Sequence, residues 1–183
     1  MSRCLQNIQR FDLRMLLWFI HARRRDLWIT LARAFSRSGD GWMQLVLPSL
    51  VWAVDRDQGA VFFVTTAIAF ALERPLYWVL KNTLQRHRPP EVIPGFSSVV
   101  IASDRFSFPS GHTAAAFLLA GNTVLHYGAI GSPLYLWACA VGLSRVALGV
   151  HFPTDILAGM VLGTAIACLV SNTDLFRSLT SFF

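Results

Sequence analysis

Charged side chains are scarce in this chain. Asp, Glu, Lys and Arg make up 14% of its 183 residues, where a soluble domain carries about a quarter. Hydrophobic residues reach 54%, and the mean hydropathy is +0.49. That balance excludes an ordinary soluble domain and points to one membrane-embedded domain. Negative charge is the scarcer sign, with 10 Asp and Glu against 16 Lys and Arg and a formal charge of +6. The arginines alternate with Trp, Leu and Phe and form no polar basic face, so nucleic acid is not the expected partner; anionic lipid headgroups are. Cysteine is thin as well: Cys4, Cys139 and Cys168 have no paired spacing, which excludes a disulfide framework and a cysteine zinc site. No cluster of His, Cys, Asp or Glu has the spacing of metal ligands, so neither a metal nor any other cofactor is called for. The N-terminus has no continuous apolar run with a small-residue cleavage site, so no removable signal peptide is expected. Internal repeats and low-complexity tracts are absent too.

What is there is a series of apolar runs. In residues 1–40, Leu13, Leu16, Leu17 and Ile20 fall at i, i+3, i+4 and i+7, and Trp28, Leu31, Ala32 and Phe35 repeat that spacing after the Arg23-Arg24-Arg25 break. This predicts two amphipathic helices lying in the headgroup region, with a soluble helical cap as the rival. Residues 41–183 read as the membrane core. Its apolar runs are Gly41–Val54, short for a span, then Ala60–Leu80, Phe108–Tyr127, Leu134–Val150 and Thr154–Val170, against the ~20 residues a crossing needs. Asp55 to Gly59 reads as a tight polar turn, and Glu73-Arg74-Pro75 interrupts the second run. The expected fold is therefore all-α: a polytopic membrane helix bundle of about five transmembrane helices with N-terminal interfacial helices. The one long connection, Asn82 to Ser107, is rich in Pro, Gly and Ser, and such loops are usually functional or mobile.

Three short polar blocks interrupt this apolar background: Lys81 with Arg88-Pro89, then Pro109-Ser110-Gly111-His112, then Ser144-Arg145 with His151 and Asp155. Alternating spans bring all three to one membrane surface. Lys81, Arg88 and Arg145 are cations suited to phosphate oxygens, although each alone also reads as a snorkelling residue at the end of a span. Ser110 is placed to cap the third span, Gly111 to let a ligand approach the backbone, and the free amides there to receive an anion. His112 can serve as a general acid, or simply be a satisfied polar residue. Asp155 lies four residues after His151, which lets its carboxylate hold one imidazole nitrogen and leave the other to attack phosphorus; Asp155 at a helix start also complements the helix dipole. Glu73 and Arg74 read as a structural pair distant from the phosphate. His21, His87 and His126 join no constellation.

In these blocks the chain resembles the type-2 phosphatidic acid phosphatase family. The three-part signature is Lys81, six residues, Arg88-Pro89; Pro109-Ser110-Gly111-His112; and Ser144-Arg145, five residues, His151, three residues, Asp155. The resemblance implies His151 as nucleophile, Asp155 as its orienting partner and His112 as the acid that protonates the leaving oxygen and later activates water. It implies Lys81, Arg88, Ser110, Gly111 and Arg145 as phosphate ligands. Similar bacterial members act on undecaprenyl diphosphate, phosphatidylglycerophosphate, phosphatidic acid or lipid A. The expected function is a metal-independent membrane lipid phosphatase working through a phosphohistidine; a lipid-to-lipid phosphotransferase and a non-catalytic lipid binder or transporter are the alternatives.

Thirteen of the sixteen Lys and Arg fall on the expected catalytic side. By the positive-inside tendency that places the site in the cytoplasm of a plasma-membrane protein. Members acting on undecaprenyl diphosphate generally face outward, and several carry a further span before the interfacial helices that has no counterpart here.

Overall fold

The computed structural model describes residues 3–20 and 25–172; His21, Arg23, Arg24 and Arg177 lie outside the described residues. Among those described the chain forms eight α-helices and no strand: α1 (Arg3–Ile20), α2 (Arg25–Ser38), α3 (Met43–Val54), α4 (Arg56–Leu84), α5 (Pro89–Val92), α6 (Gly111–Tyr127), α7 (Pro133–Ala147) and α8 (Pro153–Ser171). The expected five apolar helices are α3, α4, α6, α7 and α8. The helical stretches that begin with α4, α6 and α8 are long and apolar enough to cross a membrane, and the chain is a multi-pass membrane protein. α3 and α7, with 12 and 15 residues, reach only about 18 and 22 Å, short of a ~30 Å hydrocarbon core.

Two boundaries differ from the sequence reading. The polar turn before α4 shrinks to Asp55, whose carboxylate accepts from the Gln58 N–H at 3.1 Å. That cap starts the helix at Arg56 instead of Ala60. Pro75 lies inside α4 without ending it, as membrane helices tolerate when neighbouring helices pack around them.

α6 runs through the centre, buried at every position from Thr113 to Thr123. Its alanines, at 114, 115, 116 and 120, keep the helix narrow enough for α4, α7 and α8 to close around it. The closest approach is to α8. A Cβ at Gly163 would stand 2.1 Å from the Ala114 carbonyl oxygen, and one at Gly159 2.6 Å from that of Ser110. This Gly-x-x-x-Gly pair lets the two backbones touch. It thereby sets the start of α6 beside the start of α8, where the Ser110 N–H donates to the Asp155 carbonyl at 3.0 Å.

α2 packs on α7, and α1 on α7 and α8. Their inward stripes are narrower than the sequence periodicity suggested: Asp12 and Leu16 are buried from α1, and Ala32 and Ser36 from α2. Leu17, Trp28, Leu31 and Phe35 face outward.

Candidate active site

The start of α6, the end of α7 with the turn that follows it, the end of α2 with the turn after it, Arg74 and Tyr77 of α4, and the loop before α6 line a polar cavity of about 800 Å³. Its wall includes Gly111, His112, Arg145 and His151, so the second and third sequence blocks meet as expected. Of the first block, Lys81 and Arg88 stand one layer back. Both side chains are nearly buried, and Asp104 from the α5–α6 loop lies between them and the cavity. The Asp104 carboxylate accepts from Lys81 Nζ on Oδ2 and from Arg88 Nη2 on Oδ1, with Tyr77 OH donating at 2.5 Å. Arg88 also donates from Nε to the Asp104 carbonyl at 3.1 Å and from Nη1 to the Val150 carbonyl at 2.6 Å. Burial works against charge on Asp104, but Lys81, Tyr77 and Arg88 outweigh it and hold the carboxyl down to about 2.

His151 is buried to 2% of its side chain, with Nδ1 3.6 Å from Asp155 Oδ2. That is just beyond hydrogen-bond length. Asp155 is held elsewhere: Oδ2 accepts from the Phe152 N–H at 2.8 Å and Oδ1 from Arg86 Nη1 at 2.6 Å. The helix-start role and the histidine-facing role of Asp155 therefore coexist. With Nδ1 turned to Asp155, Nε2 is the nitrogen left to meet a ligand in the cavity.

Burial pushes the His151 imidazole down to about 4; Asp155 pulls it up, and Arg88 and Arg145 add to the fall. The shift is downward from 6.5, so the neutral ring persists well below the pH at which a solvated histidine gains its proton. Between these values the unfolded chain takes up a proton that the folded one refuses. Stability contributed by this group is thus complete above about 6.5 and lost as the pH falls through about 4. The expected pH profile of kcat/KM, corrected for ionisation of the substrate phosphate, has no nucleophile titration near 6.5; an acid limb centred there would contradict a neutral buried His151.

His112 faces the cavity from the first turn of α6 and contacts Asp40 Oδ1 through Nε2 at 2.8 Å. The site therefore holds two Asp–His pairs. Arg145 donates from Nη1 to Ser36 Oγ at 2.6 Å, and its buried Nε has no hydrogen-bond partner. Ser110 occupies the cap position of α6 without capping it. Its hydroxyl accepts from Thr113 Oγ1 at 2.9 Å in place of a helix amide, which corrects the expected cap. A Cβ at Gly111 would lie 2.9 Å from the Tyr77 ring, so this glycine also makes room for Tyr77. Glu73 and Arg74 pair as expected, with Nη2 donating to Oε1 at 2.6 Å. Arg74, however, lines the cavity, because its long side chain carries the cation up to the Tyr77 ring, 4.8 Å from its centroid.

Five residues outside the signature complete the site: Asp12, Ser36, Asp40, Arg86 and Asp104. Arg86 joins Asp155 to Asp12 of α1, donating to Asp12 Oδ2 at 2.5 Å. Asp12 in turn accepts from the Thr154 N–H at 3.0 Å and the Thr154 hydroxyl at 2.6 Å, across the start of α8. Only Asp12 left a trace in the sequence, as an acid four residues before Leu16 and hence on its face.

The PAP2 superfamily profile matches residues 58–178. A decaprenylphosphoryl-5-phosphoribose phosphatase from Mycobacterium tuberculosis is 33% identical over 153 residues, covering 77% of each chain. Phosphatidylglycerophosphatase B of Bacillus subtilis is 37% identical over 118 residues, 58% of this chain and 55% of that one. The crystal structure of LpxE from Aquifex aeolicus superposes with a TM-score of 0.73 at 26% identity, over 88% of this chain and 95% of that one. With a profile that spans the bundle from α4 through α8 and a signature gathered at one end of it, the chain belongs to the PAP2 superfamily and is a membrane phosphatase.

Proposed function

We propose that the protein removes a terminal phosphate from a polyprenyl diphosphate or a glycerophospholipid monoester through a phosphohistidine on His151. The observation that carries this reading is the placement of two histidines, each beside its own carboxylate, on the wall of one cavity that also holds a buried arginine. Neutral His151 attacks phosphorus through Nε2, and the bond from phosphorus to the leaving oxygen breaks. His112, oriented by Asp40, donates its proton to that oxygen. Water then attacks the phosphohistidine, His112 takes the water's proton, the P–N bond breaks and phosphate departs. Lys81, Arg88 and Arg145, with Ser110 and Gly111, meet the charge on the phosphoryl oxygens.

A lipid substrate is supported by a second, apolar groove of about 440 Å³ beside the polar cavity. Trp28, Phe35, Phe96 and Leu143 line it, and Leu148 belongs to both. A hydrocarbon tail there leaves its phosphate at Arg145. The M. tuberculosis relative acts on a decaprenylphosphoryl phosphoribose and the B. subtilis relative on phosphatidylglycerophosphate, as their names state, both lipids bearing a terminal phosphate. We place α1 and α2 in the headgroup layer, their exposed Leu17, Trp28 and Leu31 toward acyl chains. Their arginines then share the catalytic side, which favours a cytoplasmic site in the plasma membrane.

The test is phosphate release by purified protein from a panel of lipid phosphates in detergent, without an acceptor lipid. Turnover is expected to persist in EDTA and to be inhibited by orthovanadate, a mimic of five-coordinate phosphorus. Loss of activity in EDTA restored by a divalent metal would refute the mechanism, and release only in the presence of an acceptor would make the protein a phosphotransferase.

A further inference from the structure

Two of the three cations proposed to bind phosphate, Lys81 and Arg88, are already occupied. One carboxylate takes up Lys81, Arg88 and the Tyr77 hydroxyl together, and it reaches the cavity wall while Lys81 and Arg88 do not. The Asp104 side chain is about one-third exposed, and its backbone carbonyl also accepts from Arg88 Nε at 3.1 Å. An incoming phosphoryl group must therefore displace the carboxylate before Lys81 and Arg88 can hold it.

We propose that Asp104 is a specificity-determining residue: its carboxylate fills the Lys81–Arg88–Tyr77 clamp at rest, so that the site admits a terminal phosphate and refuses the phosphodiester headgroups of the surrounding bilayer. This rests on the reading of Lys81 and Arg88 as phosphate ligands. The chemistry is competition between anions for the same donors. A carboxylate brings one charge and two oxygens. A terminal phosphate brings a charge of about −1.5 to −2 near neutral pH and three acceptor oxygens, enough to replace it with gain. A phosphodiester brings one charge and two free oxygens, and exchanging Asp104 for it leaves the displaced carboxylate beside a new anion. Phosphodiesters are also the competitors in greatest supply, because the bilayer is made of them.

The experiment uses the full chain in detergent micelles, with inorganic phosphate and dioleoyl phosphatidylglycerol as probes. Wild type, Asp104→Ala and Asp104→Asn are compared by inhibition of turnover and by the thermal shift each probe induces. Asp104→Asn keeps the shape and an acceptor oxygen, so it reports the charge alone if the alanine variant does not fold. Removal of the resident anion is expected to tighten inorganic phosphate by roughly tenfold, the worth of about one charge-assisted contact. It should also turn phosphatidylglycerol, inert toward the wild type, into an inhibitor. Unchanged or weaker phosphate affinity in both variants, with phosphatidylglycerol still inert, overturns the proposal. Lys81→Met and Arg88→Met separate the two layers of the argument. If they lose phosphate affinity while the Asp104 variants gain none, the clamp stands and the selective role of Asp104 falls; if they bind phosphate as the wild type does, the clamp itself is wrong and the proposal falls with it.

Discussion

His151→Ala is expected to abolish turnover, lowering kcat by roughly 10³- to 10⁶-fold, the range seen when a nucleophile is removed from a site that keeps its charge-stabilising groups. The size of the effect follows from what the imidazole does. It lines the cavity with its other nitrogen turned to a buried carboxylate, whereas the Tyr77 hydroxyl in that wall is engaged as a donor to Asp104. The fold should survive, because Asp155 keeps the Phe152 N–H and Arg86 when the histidine is gone. Lipid binding should survive too, since Lys81, Arg88 and Arg145 are untouched. Phosphate release and equilibrium binding measured on one preparation decide the matter, together with trapping of an alkali-stable, acid-labile phosphoprotein. Wild-type turnover in the alanine variant would remove His151 from the mechanism.

The second large effect is expected at Arg86, a residue outside the family signature. Its guanidinium spans two carboxylates, Asp12 and Asp155, that are both fully buried, while it is itself only 26% exposed. Arg86→Met leaves both acids without their cation. Losing one partner of a buried ion pair costs about 3–5 kcal/mol, which in a chain of this length lowers Tm by on the order of 10 °C. Activity should fall as well, because Asp155 loses the contact that aims its Oδ1 away from His151. Arg86→Lys should recover only part of either loss, since an ammonium cannot fork to two carboxylates. Removing one stranded acid should help more: Asp12→Asn combined with Arg86→Met is expected to be more stable than Arg86→Met alone, a non-additivity readable in a double-mutant cycle. A double variant whose destabilisation equals the sum of the Arg86→Met and Asp12→Asn losses would show that the Asp12–Arg86–Asp155 chain carries no coupling.

Much of the site is legible in the primary structure because its residues sit in short blocks with fixed internal spacing. His151 and Asp155 are one helical turn apart across a first-turn proline, and the chain makes that relation locally. Ser110-Gly111-His112 opens a helix for the same local reason. The five apolar helices are legible because a bilayer demands long apolar runs, and those runs survive any detail of packing. What is not legible depends on how elements pack around a residue and not on its own spacing. Ser110 turns to Thr113 where α8 lies against the start of α6. Arg74 reaches the cavity with its cation over the Tyr77 ring. Asp104 and Arg86 give no local sign of their place, since nothing within a few positions of them shows which charge they meet.

The sequence by itself determined the family, the membrane embedding, and which histidines, carboxylate and cations form the signature. Those properties depend on residue type and on near-neighbour spacing, which the chain carries wherever it folds. Only the tertiary structure decided which acid faces which base. Asp40 meets His112 across 72 positions, Asp12 meets Arg86 across 74, and Asp104 meets Lys81 across 23. Such pairings depend on how closely helices approach, and here Gly159 and Gly163 bring α8 against α6. Where such charges are fully buried, as Asp12 and Asp155 are, they must find a partner, because no water is left to solvate them.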